Sequence, residues 1–179
     1  MKEPPAAISF ALNVPEGDNR ERRVCQTCGF VDYVNPRVVV GTLAHSGGRV
    51  LLCRRAIHPR RGYWTLPAGF MEEAESVEEG ARREAREEAN AELEIEGLLA
   101  VYSIPRISQV QIMFRARLLN DPSPGPESLE VMLTAWDDIP WAELASPSVG
   151  WALRQWRETA GKTVFVPFGN PPGTNELTR

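Results

Sequence analysis

Between Gly69 and Ala91 the sequence runs GFMEEAESVEEGARREAREEANA: a glycine, a short turn, then a helix that carries three glutamates on one side. Glu84, Glu87 and Glu88 stand at i, i+3 and i+4, so their carboxylates project from a single patch. No nearby basic residue neutralises that patch by itself, and three carboxylates so placed repel one another. A divalent cation relieves the repulsion. Hard oxygen ligands clustered in this way suit Mg2+ or Mn2+, which keep some waters and also bind substrate phosphates. Val77, Ala81 and Ala85 give the same helix a stripe of small residues suited to close packing on a sheet.

The ends of the helix are also legible. Ser76 followed by Glu79 is a capping-box pattern, which starts the helix near Val77. Asn90 is the usual second choice, after glycine, for a left-handed C-terminal cap. Glu75, Glu78, Arg82 and Arg86 fall on roughly the opposite face, where pairs such as Glu78–Arg82 need only solvent to explain them. Gly80, one turn before Glu84, costs the helix about 1 kcal/mol. A glycine there makes sense if something must approach the backbone closely.

The remaining chain supplies strands around that helix. Arg37 to Ala44 is β-rich, and His45-Ser46-Gly47-Gly48 turns it into Arg49 to Arg55, a hairpin signal. Leu93 to Ile104, Gln109 to Leu119 and Leu129 to Trp136 also read as strands. In the second of these, Val110, Ile112, Phe114, Ala116 and Leu118 alternate with Gln111, Met113, Arg115 and Arg117, which predicts one core face and one wetter face. Ser148 to Glu158 is a late amphipathic helix, and Gly161 to Arg179 reads as a short strand and a Pro/Gly-rich tail. Met1 to Arg23 shows no convincing period. Strands around one internal helix, with a second helix late, predict an α/β or α+β sandwich.

Composition narrows the function classes. With 179 residues, 42% of them hydrophobic, the chain has enough to bury one sizeable core and a small appendage. A net charge of −4 gives no general attraction to nucleic acid. No apolar run is long enough to span a bilayer, so no membrane partner is expected. Three cysteines argue against a disulfide framework and fit a reducing cytoplasm.

Gly69, Glu75, Arg83, Glu84, Ala85, Glu87, Glu88 and Ala91 match the Nudix box, G-x5-E-x7-R-E-U-x-E-E-x-G-U with U aliphatic, and Asn90 replaces its last glycine. The segment therefore resembles the Nudix hydrolases. Pro15-Glu16-Gly17-Asp18, Cys25-Gln26-Thr27-Cys28, Val38-Val39-Val40-Gly41, Trp64-Thr65-Leu66-Pro67-Ala68-Gly69 and Gly125-Pro126-Glu127-Ser128-Leu129-Glu130 extend the likeness. They resemble the subgroup of the plant FAD/ADP-ribose pyrophosphatase and its bacterial relatives with an N-terminal zinc ribbon. The resemblance implies an α/β/α sandwich with a mixed sheet over residues 35–160. An N-terminal ribbon-like segment spans 1–34 and a C-terminal strand and tail 161–179. Many relatives of this kind are homodimers, so a homodimer is among the assemblies implied.

The activity implied is metal-dependent cleavage of the pyrophosphate in a nucleoside diphosphate linked to another moiety. Glu84, Glu87, Glu88 and the Gly69 carbonyl are the implied ligands of Mg2+ or Mn2+. Arg83 is expected to orient the carboxylates, and a carboxylate of the box, Glu127 or Glu130 to accept the proton of water. Forked guanidiniums suit phosphate; Arg54 or Arg55, at a strand end, should face the site, with Arg60, Arg61 and Arg106 as weaker candidates. Tyr33, Phe70 and Tyr102 are candidates to stack on a base or flavin ring. Pro105 stands where ADP-ribose-type members carry a proline, which favours ADP-ribose or FAD. A triphosphate-sanitising pyrophosphohydrolase and a non-catalytic nucleotide sensor are the alternatives.

The ribbon departs from the pattern. Relatives carry two Cys-x-x-Cys knuckles, whereas the first should fall near Glu3 and Ala6, neither of which is a thiolate. Cys25 and Cys28 alone do not close a four-cysteine site; His45, His58 or a partner chain would have to add ligands. Zinc is therefore not expected, Cys25–Cys28 remaining as a tight turn, and Cys53 should be a buried, inert thiol.

Overall fold

The computed structural model describes residues 8–174. The chain forms two compact units, Met1–Asn35 and Pro36–Arg179. The first is a small antiparallel sheet of β1 (Phe10–Asn13), β2 (Arg22–Cys25) and β3 (Val31–Asp32), in that order. Two of these strands fall in or overlap the stretch that showed no period in sequence, since four residues are too few to display one. Between β2 and β3 the Cys25–Cys28 segment is a tight turn: Gly29, at φ 74°, donates its N–H to the Cys25 carbonyl at 3.0 Å. The place expected for a first knuckle, near Glu3 and Ala6, lies outside the described residues.

The second unit is built on a seven-stranded mixed sheet. Its path runs β10 (Ser128–Thr134), β5 (Arg49–Arg55), β4 (Arg37–Ser46), β9 (Gln109–Leu118), β8 (Leu93–Ile104). Two short strands complete it: β6 (Trp64–Thr65) pairs with β5, and β7 (Ala68–Phe70) with β4. β4 and β9 are parallel, from Arg37↔Gln109 to His45↔Arg117, while the other pairings are antiparallel. α1 (Val77–Ala89) covers one face and α2 (Pro147–Glu158) the other.

Residues of β5 show how both faces are sealed. Leu51 and Cys53 pack with Ala85 and Ala89 of α1, whereas Val50 and Leu52 join the core of Leu99, Tyr102, Ala152 and Leu153 on the α2 side. A strand buried on both faces reads as a continuous apolar run. The same two-sided cover corrects the expectation for β9. Met113 packs in the α2-side core, and Arg115 is only 7% exposed. Arg115 gives hydrogen bonds to the Thr159 and Lys162 carbonyls at 3.3 and 2.9 Å, so its burial ties down the chain after α2.

Beyond α2 the expected strand is absent among the described residues; a single parallel bridge joins Ala100 to Phe168. Phe168 donates its N–H to Leu99 at 2.8 Å and accepts from Val101 at 3.0 Å. No helix among the described residues is long and apolar enough to cross a membrane.

Candidate active site

The capping box of α1 forms as the sequence predicts. The Ser76 hydroxyl accepts the Glu79 N–H at 3.3 Å, and the Glu79 carboxylate accepts the Ser76 N–H at 2.8 Å. The helix ends at Asn90, whose φ of 47° is left-handed. Asparagine in place of glycine adds anchors: its side-chain amide donates to Ser123 and Pro124 carbonyls, each at 3.1 Å. Gly125 then donates to the Glu88 carbonyl at 3.0 Å, and a Cβ on Gly125 would collide with the Glu87 carbonyl. The loop after β9 is thereby fastened to the end of α1, which brings Glu127 to the glutamates.

Arg83 organises the carboxylates. It donates to both oxygens of Glu75, at 3.0 and 2.8 Å, to Glu84 at 2.8 Å, to Glu87 at 3.0 Å and to the Phe70 carbonyl at 3.0 Å. Two expectations are corrected here. Glu75 does not lie on the solvent side with Glu78, because it precedes the helix and folds back onto Arg83; the Arg83 guanidinium holds its carboxyl down at about 2. Nor is the acidic patch without a basic neighbour, since Arg83 engages two of its three carboxylates. Gly80 serves close approach as predicted: a Cβ there would crowd the Glu75 carboxylate and Val40.

Glu84 and Glu88 are buried, 8% and 6% exposed. Burial, and then the Glu84 charge, pushes the Glu88 carboxyl up to about 8, with Arg55 opposing. Burial likewise raises Glu84. One oxygen of Glu88, Oε2, has no hydrogen-bond partner among the described residues. An ionised carboxylate left so is costly, and a cation is the partner that such an acceptor lacks. At Gly69 an added Cβ would fall on the Glu84 carboxylate, so the bare backbone lies against it. These residues fit a hard divalent cation, which Glu84, Glu87, Glu88 and the Gly69 carbonyl would hold. Among the described residues no three acidic, His or Cys side chains already converge as ligands; Glu84 and Glu87 are turned to Arg83.

The glutamates border a cleft of about 700 Å3 that Ser148 and Val149 of α2 also line, a size usual for small-molecule sites. Gly69, Phe70, Arg83, Glu84, Glu87, Glu88 and Glu127 line it. Of the two strand-end arginines only Arg55 does so. Arg54 donates to the Gly62 carbonyl at 3.0 Å, lies over Trp64 and pairs at 3.5 Å with Glu130, its register partner on β10. Arg54 and Glu130 are thus spent on each other away from the cleft. Arg60 lines the cleft, but Arg61 and Arg106 do not.

Phe70 is half exposed under the Arg37 guanidinium, 4.9 Å from its ring centre. Tyr102 is fully buried with its hydroxyl donating to Gln155, which makes it core rather than a stacking surface. Tyr33 belongs to the first unit and is 58% exposed. Pro105 does not line the cleft; it begins the 3₁₀ turn Pro105–Ile107, and the turn delivers Ile107 and Gln109 there. His58 lines the cleft, and His45 pairs with Glu96 at 2.9 Å. Sequence reasoning missed Ile107, Gln109, Gln111, Ser146 and Ser148 of the lining. The alternation in β9 and the serine before α2 were visible, but not the register that turns them to the glutamates.

A mixed sheet between two helices, with a capped glutamate helix bordering a nucleotide-sized cleft, defines a Nudix-type sandwich. The comparisons with known proteins agree: the chain belongs to the Nudix family. The model described as the NUDIX domain matches residues 34–156, and that described as Nudix N-terminal, a zinc ribbon, matches residues 8–34. A solved Nudix hydrolase from Nitrosomonas europaea is 46% identical, with a TM-score of 0.85 over 93% of this chain and 96% of that one. The ADP-ribose pyrophosphatase of Methanocaldococcus jannaschii is 38% identical over 73 residues, 41% of this chain and 43% of the relative. Human mitochondrial NAD(P)H pyrophosphatase NUDT13 is 31% identical over 153 residues, 84% of this chain and 42% of the relative. The matched stretch spans less than half the length of each of these two curated relatives.

Proposed function

We propose that this chain is a metal-dependent hydrolase of the pyrophosphate in a nucleoside diphosphate linked to another moiety, with ADP-ribose or FAD as substrate. The observation that carries the reading is the buried Glu88 carboxylate, one oxygen unpartnered, beside Glu84 on the border of a nucleotide-sized cleft. When bound by Glu84, Glu87, Glu88 and the Gly69 carbonyl, Mg2+ or Mn2+ neutralises phosphate charge and acidifies water. Arg83, with every N–H directed at a protein oxygen, keeps the carboxylates aimed and leaves none for substrate. Arg55 presents a fork to phosphate oxygens. Glu127, held at the cleft by the Gly125 contact, takes the proton of the attacking water. The matched M. jannaschii pyrophosphatase supports ADP-ribose, and three free thiols fit a reducing, cytoplasmic setting.

Product chromatography over ADP-ribose, FAD, NADH and nucleoside triphosphates, with Mg2+, Mn2+ or chelator, tests this. ADP-ribose or FAD should yield AMP only with metal. Turnover unaffected by chelator, or confined to triphosphates, would contradict it.

A further inference from the structure

On the cleft floor two glutamines recur on one face of β9. Gln109, Gln111 and Met113 occupy alternate positions of the strand, and all three line the cleft. Register aligns them with the catalytic side: Gln111 pairs with Val39 of β4, and Val39 with Phe70 of β7. Strands lie about 4.8 Å apart, so Gln111 stands roughly 10 Å across the floor from Phe70 and the adjoining Gly69. That span is the right order for the reach from a pyrophosphate to the base of the same nucleotide.

The carboxamides are nearly unspent. Among the described residues the hydrogen bond their side chains make is a long one to each other, Gln111 Nε2 to Gln109 Oε1 at 3.4 Å. Both are half-buried, and Val39, the register partner of Gln111, and Met113, next along this face of β9, are apolar and also line the cleft. Sheet positions in this face elsewhere carry core residues such as Leu43 and Tyr102. A polar pair held in an apolar slot costs desolvation unless something in the slot answers it. The apolar walls suit the faces of a flat ring, and the amide supplies one donor and one acceptor side by side.

We infer that Gln111, supported by Gln109, is a base-reading subsite, its carboxamide facing the N6/N7 donor–acceptor edge of adenine. A carboxamide matches that edge bidentately. Hypoxanthine offers an acceptor, O6, where adenine offers a donor, so it leaves the amide oxygen unanswered. The subsite names the base half of the substrate proposed above and rests on that reading.

Its test uses binding of the nucleoside monophosphates AMP and IMP, measured by titration calorimetry, and needs no turnover. The unmodified protein should bind AMP about tenfold or more tightly than IMP, the size of discrimination given by one good bidentate pair. Gln111→Leu should bring the two affinities together, whereas Gln111→Glu keeps the acceptor that faces N6 and loses the donor to N7, which both bases share, so it should weaken both complexes and leave the preference for AMP. Circular dichroism on each variant checks that the fold survives. Equal affinities in the unmodified protein, or a preference that survives Gln111→Leu, overturns the subsite. Failure to hydrolyse ADP-ribose or FAD, with the AMP preference intact and lost in Gln111→Leu, would instead overturn the proposed reaction alone.

Discussion

Arg83 engages three carboxylates and a carbonyl, and this one residue fixes the charge logic of the site. Without metal, Glu88 stays buried with its carboxyl at about 8, against about 4.3 in an unfolded chain. Between those values the folded state holds a proton that the unfolded state has released, so stability falls as pH rises through that window. Thermal melts of the metal-free protein should therefore show Tm declining from about pH 5 to 8, and Glu88→Gln should flatten the decline; a slope unchanged by the substitution contradicts this. The two neighbouring arginines separate in the same way. Arg55→Gln should lower kcat/KM at least tenfold, since a charged hydrogen bond to phosphate is lost, while Arg54→Gln should change it less than about threefold. Equal effects on steady-state kinetics would mean that Arg54 also reaches substrate. The pair Arg54–Glu130 was out of reach of sequence reading because it depends on the β10–β5 register, not on either strand alone.

At the scale of elements, the capping box and the left-handed Asn90 were legible because caps are local chemistry. Glu75 was misplaced for the complementary reason: a helical wheel does not extend past the N-cap, and only the fold shows it curling back to Arg83. β9 was half legible. Its alternation gave the α1 face, but only the presence of α2 on the other side explains why Met113 and Arg115 are buried. The contact between the loop after β9 and the end of α1 makes a further prediction. Gly125→Ala places a methyl on the Glu87 carbonyl, so the loop must move outward and carry Glu127 with it. Overpacking of this kind costs about 1–3 kcal/mol. A fall in Tm together with a tenfold or greater fall in kcat is expected, by melt and steady-state assay; unchanged kcat would remove Glu127 from the proton-transfer role.

At the scale of the whole molecule, the Nudix sandwich was legible from one box and the order of strands, and a single family match confirms it over residues 34–156. The N-terminal unit is a different matter. It matches the ribbon family over residues 8–34, yet Cys25 and Cys28 are its cysteines and the expected first knuckle has none. The turn at Cys25–Cys28 closes through backbone hydrogen bonds to Phe30 and from Gly29. Zinc should accordingly not be needed for folding: Tm should match before and after dialysis against a strong chelator, and collapse with about one zinc per chain by elemental analysis would contradict that.

The glutamate face of α1, as the holder of a catalytic cation, is the centre of the proposed activity. Turnover of ADP-ribose or FAD, whichever the protein hydrolyses better, measured side by side for the unmodified chain, Glu88→Gln and Glu78→Gln at one Mg2+ concentration, tests this most directly. Glu88→Gln keeps size and nearly keeps helix propensity, so it should fold with equal or slightly higher Tm in metal-free buffer while turnover falls by orders of magnitude. Glu78→Gln, which loses at most a solvent-screened pair with Arg82, should alter both only slightly. Near-normal turnover in Glu88→Gln, or an equal loss in Glu78→Gln, would contradict the assignment of the catalytic face.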